Sequence, residues 1–355
     1  MLISLRRQSV ATVATLALAA VATAGGQTER RSLSGDQVAI YNIAGIVRVQ
    51  AGPGSQVVVD VTRGGRDGGQ LTLATGEVRG WESLRVIYPS DRIIYPEMGY
   101  RSRTDMHVNS DGTFDDGGDR GFRSRDRVEI RDSGSGLDAH ADLVVSVPRG
   151  QRVAIHWGVG EASVSNVDGD LIVSVGSAKV TAEHTRGRLN LDTGSGSVSV
   201  TDAQGDVTLD TGSGGVTVNG VTGSSLNMDT GSGTIRASDI DVKTLKADVG
   251  SGGIRLARVK APRIDLDAGS GGVDVEVLSP IDDLRVDAGS GTVTLRLPAT
   301  LSADVDIETS SGGIDSDFAV SANNFQRHRL RGRIGDGKGR IRIESGSGGV
   351  RLIKG

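Results

Sequence analysis

Acidic side chains return along this chain at nearly constant spacing: Asp192, Asp210, Asp229, Asp248, Asp267 and Asp287, continued by Glu308 and Glu344. Each Asp precedes a Gly-Ser-Gly segment that opens at Gly194, Gly212, Gly231, Gly250, Gly269 or Gly289. Carboxylates brought about 5 Å apart repel by somewhat under ~1 kcal/mol in water and by about 3 kcal/mol at an effective dielectric of 20, so such a column needs relief. One source of relief is a turn in which each Asp accepts hydrogen bonds from the amides or the Ser hydroxyl of its own corner. The other is a string of hard cations such as calcium. Calcium-binding nonapeptides place Asp after the glycines and repeat at about half this period, so the residue order favours the turn, with no metal or cofactor expected.

Other reactive side chains lack the settings that catalysis needs. The serines of the same segments (Ser195, Ser213, Ser232, Ser251, Ser270, Ser290, Ser311, Ser347) are predicted to form a surface ladder, since no Gly-x-Ser-x-Gly elbow and no recurring His accompany them. His107, His140, His156, His184 and His328 have no metal-ligand spacing. Gly332 to Gly339 imitates a phosphate loop up to Lys338, but Gly339 stands where a magnesium-binding Ser or Thr belongs. Arg327, Arg329, Arg331 and Arg333 form a dense basic run, read either as a solvated cap loop or as a contact for anionic glycan or lipopolysaccharide. There is no cysteine, which removes disulfides and thiolate chemistry.

The elements that position these residues follow from the spacing. Taking the first-glycine slot as marker (158, 176, 194, 212, 231, 250, 269, 289, 310, 346), the steps are 18, 18, 18, 19, 19, 19, 20, 21 and 36. Short alternating runs flank each corner, such as Leu189-x-Leu191 before it and Val198-x-Val200 after it. Alternation marks a strand with one buried face, and strands one period apart must pair in parallel. The expectation is therefore an all-β, single-chain parallel β-helix (β-solenoid) with about 18–21 residues per coil and Gly-Ser-Gly corners. Glycine is expected there for its access to positive φ, and the final double-length step is expected to be a coil without its corner motif. Ten corners at ~4.8 Å each make a rod roughly 50 Å long.

The 53 glycines and short period-two runs leave no room for long amphipathic helices, and 3% aromatic content suits a narrow core of Val, Leu and Ile. A formal net charge of −4 argues against nucleic acid as a partner. Residues 1–24 read as a signal peptide: Arg6 and Arg7, an apolar stretch from Val10 to Ala22, then Ala22-Thr23-Ala24. Residues 25–36 read as a polar leader and 37–96 as N-terminal strands or first coils. Residues 97–136 read as a charged flexible insertion, and 137–355 as the regular solenoid with 319–339 irregular. The signal peptide implies export to the periplasm, the outer cell surface or the medium, and after cleavage no segment is apolar enough to span a membrane.

The repeated [Leu/Val]-Asp-[Thr/Ala]-Gly-Ser-Gly units, the Val147-Pro148-Arg149-Gly150 entry and the signal peptide together resemble the bacterial DUF4097 family. That resemblance implies an exported β-helical protein related to adhesins, a label itself inferred for the family, and brings no catalytic residues. The charged insertion departs from the pattern. The expected function is a non-enzymatic, adhesin-like protein of the cell envelope that presents Asp/Ser/Thr ladders to a cell-surface polymer, glycan or envelope protein. A structural scaffold without a ligand and a polysaccharide-acting β-helix enzyme are the alternatives.

Overall fold

The computed structural model describes residues 28–114 and 125–355, so the expected signal peptide at 1–24 lies outside the described residues. The described residues are all-β apart from two 3-10 turns, and the main sheet is solenoid-like. From Gln37–Ala51 and Gln151–Ser165 onward, each pass of the chain pairs in parallel with its neighbour, residue against like residue. The offset is 18 at first (Leu189 against Val207) and then 19 (Val216 against Ile235). Inward columns such as Val173–Leu191–Leu209–Met228 fill the core, and a third buried column runs through Val221, Ile240 and Val259. No single coil could bury these side chains; its neighbours cover them.

Both ends of the stack depart from chain order. At the C-terminal end, the last coil does not follow the one before it. Gly339–Ser345 lies between Asp283–Ala288 and Ala303–Thr309, parallel to both, and Val350–Lys354 likewise lies between Val293–Leu297 and Ile314–Ser316. The double-length step is thus not a coil that lost its corner. The chain skips a rung, builds an antiparallel cap from Ser321–Gln326 and Arg329–Ile334, and then returns to fill the gap. The segment expected to be irregular at 319–339 is that cap, and antiparallel closure shields the open edge.

At the other end Gln37–Ala51 is flanked by Trp81–Ile87 and His140–Val147. Antiparallel partners Thr72–Val78, Val57–Gly64 and Thr28–Leu33 complete this cap. The leader expected at 25–36 therefore includes a paired strand.

The charged insertion is also ordered where it is described. Arg103–Asn109 and Arg125–Arg131 pair antiparallel within a four-stranded sheet that also includes Arg92–Ile94 and Leu137–Asp138. Its inner side, with Val108, Val128 and Ile130, packs on Tyr41, Ile43 and Val159 of the first rungs. Its charges pair across strands, Asp105 with Arg127 at 3.0 Å and Glu129 with Arg103 at 2.7 Å. The expected flexibility fails because the Arg/Asp alternation masks a period-two apolar face (Met106-x-Val108, Val128-x-Ile130).

Candidate functional site: the outward ladders

The acidic column is continuous in space. Asp192, Asp210, Asp229, Asp248, Asp267 and Asp287 are register partners in turn, followed by Glu344 and then Glu308. The two glutamates exchange order because the last coil is interleaved. In each strand the residues on either side of the acid point inward, so the acid itself faces solvent; all are exposed except the half-buried Asp287.

This placement corrects the expected Asx turn. Among the described residues no corner amide or Ser hydroxyl bonds to Asp210, Asp229, Asp248 or Asp267. Partial burial, then the neighbouring carboxylates Asp248 and Asp210, raise the pKa of Asp229; burial, then Asp248 and Asp287, raise that of Asp267. A groove of about 490 Å³ follows the column, with Lys246 and Arg285 along its side. Among the described residues no group of three or more acidic or His side chains converges as metal ligands do.

The corner is held by the neighbours of Asp instead. Thr193, Thr211 and Thr230 are fully buried, and Thr211 and Thr230 donate their hydroxyls to the carbonyls of Gly196 and Gly214 one rung back, at 3.2 and 2.9 Å. Ser345 and Thr309 point their hydroxyls at carbonyls of their own corners, Gly348 and Gly312. The first glycines are required for a reason other than positive φ. A Cβ at Gly194, Gly212, Gly231 or Gly250 would lie 2.6–2.7 Å from the carbonyl oxygen of the glycine on the preceding rung. Only the second glycine of some corners, such as Gly196 at φ 136°, takes the left-handed side. Among the serines, Ser195 donates to Ser177 at 3.0 Å and Ser290 to the Ser270 carbonyl at 3.1 Å.

A second corner column went unread in the sequence. Asn166, His184, Asp202, Gly220, Asp239 and Arg258, again 18 or 19 apart, all take φ between 53° and 76°. Asn, Asp and Gly enter this region most readily, and their recurrence in one slot is the signal that could have found it. His184 faces Asp202 at 3.4 Å, and Arg258 donates to Asp239 at 2.7 Å.

The acidic column ends under cover at one side and on a cation at the other. Traced back from Asp192, its register partners are Ser174, His156 and Tyr41, the last two stacked at 4.5 Å beneath the small sheet. Trp157 beside them donates its indole N–H to the Gly45 carbonyl at 2.9 Å, and Tyr88 donates to Asn42 at 2.8 Å, its phenol pKa raised by burial. At the far end Glu308 meets Arg329 at 3.5 Å.

The basic run has also lost much of its free charge. Arg331 pairs with Asp306 at 2.6 Å and Arg333 with Asp304 at 2.9 Å, leaving Arg327 exposed beyond the strand. The phosphate-loop imitation at 332–339 is a strand end, a turn and a further strand.

A family model, Toastrack DUF4097, matches residues 135–352, more than half of the chain. The chain belongs to this family. The matched span begins just before His140–Val147 and takes in every rung of the acidic column. The small sheet lies outside it apart from Leu137–Asp138. No curated protein matches the chain. Among solved structures, a protein from Clostridium sporogenes described as "a putative cell adhesion protein" aligns over 93% of this chain and 99% of its own, with 8% identity and a TM-score of 0.21. No described helix is long and apolar enough to cross a membrane.

Proposed function

We propose that the chain is an exported, non-enzymatic, adhesin-like protein of the cell envelope, built as a single-chain parallel β-helix. Its partner, a cell-surface polymer, glycan or envelope protein, would meet a ladder face and not a deep pocket. The observation that supports this reading is the outward acidic column from Asp192 to Glu308. One polar chemistry is repeated rung after rung on a sheet whose other side is packed. A repeating surface suits a repeating partner, because each added rung repeats the same contact.

Catalysis has less support. Ser195 and Ser290 bond to serines of the neighbouring rung, and the acids share one repeated structural slot.

The test is binding of the purified mature chain to whole cells and envelope fractions of its own source. Retention above that of a variant carrying Asp229→Lys and Asp248→Lys, folded by circular dichroism, is the expected result. A mature chain recovered only from the cytoplasm, or equal retention of both proteins, would overturn the proposal. Release of reducing sugar ends from envelope polysaccharide would favour the enzyme.

A further inference from the structure

At the C-terminal end of the stack four guanidinium groups line a groove of about 570 Å³. Arg331 and Arg333 come from the antiparallel cap strand, and Arg340 and Arg342 from the interleaved last coil. Between those strands lies Ala303–Thr309, which contributes Asp304 and Asp306. The two carboxylates are engaged by Arg331 and Arg333, and these bonds hold both guanidiniums in place. Arg340 and Arg342 are exposed and have no ion-pair partner among the described residues. Four arginines against two aspartates leave the groove with a local charge of +2, on a chain whose net charge is −4.

The geometry selects the kind of anion. Residues two apart on a strand are separated by about 7 Å, and strands with one other between them by about 10 Å, so the four side chains start from a two-by-two array. A single small anion cannot reach all four, whereas a chain with acidic groups at intervals can. The arginine fork takes a carboxylate through two parallel hydrogen bonds, and Arg is weakly enough hydrated to exchange water for it. The acidic column beside the groove would repel a polyanion laid along the rod, which restricts contact to this end.

We propose that this groove binds an acidic polysaccharide through its uronate carboxylates, with Arg340 and Arg342 as the primary contacts. The proposal rests on the envelope-binding reading and adds to the acidic ladder face a second contact, at the end of the stack, for an acidic component of the envelope. It also assigns a role to the interleaving, since the groove exists only when three segments out of chain order lie side by side.

The experiment uses the full mature chain with polygalacturonate as probe and neutral dextran as control, in low salt. Arg340→Gln with Arg342→Gln should weaken polygalacturonate binding at least tenfold without lowering the melting temperature. Asp306→Asn, which frees Arg331, should strengthen it several-fold, an effect opposite to that of a merely structural loss. Arg236→Gln with Arg255→Gln, exposed on the other face, should leave it unchanged. Absence of wild-type binding, equal binding of dextran, or equal loss in the Arg236/Arg255 variant each overturns the proposal. Envelope retention measured on the same proteins separates the two readings. Retention without polygalacturonate binding refutes this inference alone, and polygalacturonate binding without retention refutes the adhesive function alone.

Discussion

Gly212 illustrates what a single atom decides in a stacked fold. An added Cβ would sit 2.6 Å from the Gly194 carbonyl oxygen, which is main chain of the preceding rung and cannot swing aside. Gly212→Ala is therefore expected to cost about 1–3 kcal/mol, as overpacking does. Gly215→Ala, whose nearest atom is the Thr234 oxygen at 3.6 Å, should stay within about 0.5 kcal/mol. Urea melts of both variants check the contrast, and equal melts would refute it.

Asp248 poses the electrostatic counterpart. The raised pKa values of Asp229 and Asp267 mean that the folded chain holds those protons more tightly than the unfolded chain. Their contribution favours the fold below the folded-state pKa and is lost as pH rises through it. Asp60 and Asp105 behave oppositely, since hydrogen bonds from Arg30 and Arg127 lower their pKa; their stabilisation is present above the unfolded value and lost as pH falls through the folded one. Asp248→Asn removes a repelling neighbour from both Asp229 and Asp267, so it should stabilise the chain by about 0.5 kcal/mol at pH 7 in low salt. The gain should vanish in ~1 M salt, where screening is complete within a few ångströms. Thermal melts that show no gain at pH 7, or the same gain in high salt, refute the account.

At the scale of elements, the last coil is the informative one. Gly339–Ser345 and Val350–Lys354 bury Ile341, Ile343, Val350 and Leu352 between two other rungs. Removing residues 339–355 should open a slot with two exposed parallel edges, and free edges recruit other chains. The truncated protein is expected to melt lower and to self-associate, and a synthetic 339–355 peptide should restore the monomer by strand addition. Size-exclusion chromatography with and without peptide reads both outcomes. A truncated chain that stays monomeric with an unchanged melt would show that the coil is dispensable.

The same coil shows where sequence reading stops. Strand alternation and the corner spacing were visible because each rung repeats them. Rung order was not, since parallel pairing of like residues is satisfied equally by either neighbour: Ile343 meets Val286 on one side and Ile307 on the other. For the site, the acidic column was legible as an outward ladder, but the Thr expected on that surface beside it is buried at Thr193, Thr211 and Thr230. The corner Thr, with its own side chain turned in, supplies the hydrogen bonds that had been assigned to Asp. The aromatic junction was hidden as well, because Tyr41 and His156 occupy the acid's own slot in rungs that a second sheet covers.

For the molecule as a whole, the decisive property is that stability and surface both scale with the number of rungs. In a stack where each coil touches only its neighbours, stability is close to a sum of coil and interface terms. Asp229 and Asp248 are register partners 19 residues apart, so deletion of residues 229–247 removes one whole coil and returns every remaining residue to its column. The shortened chain should fold with the same strand-type circular dichroism, a melt slightly lower than that of the full chain, and an acidic column one rung shorter. Deleting residues 229–246 instead displaces the following strand by one position, which would turn inward residues outward through the next coil; that variant should unfold or aggregate. If both deletions behaved alike, the rungs would not be interchangeable units, and the repeating face on which the binding proposal depends would lose its physical basis.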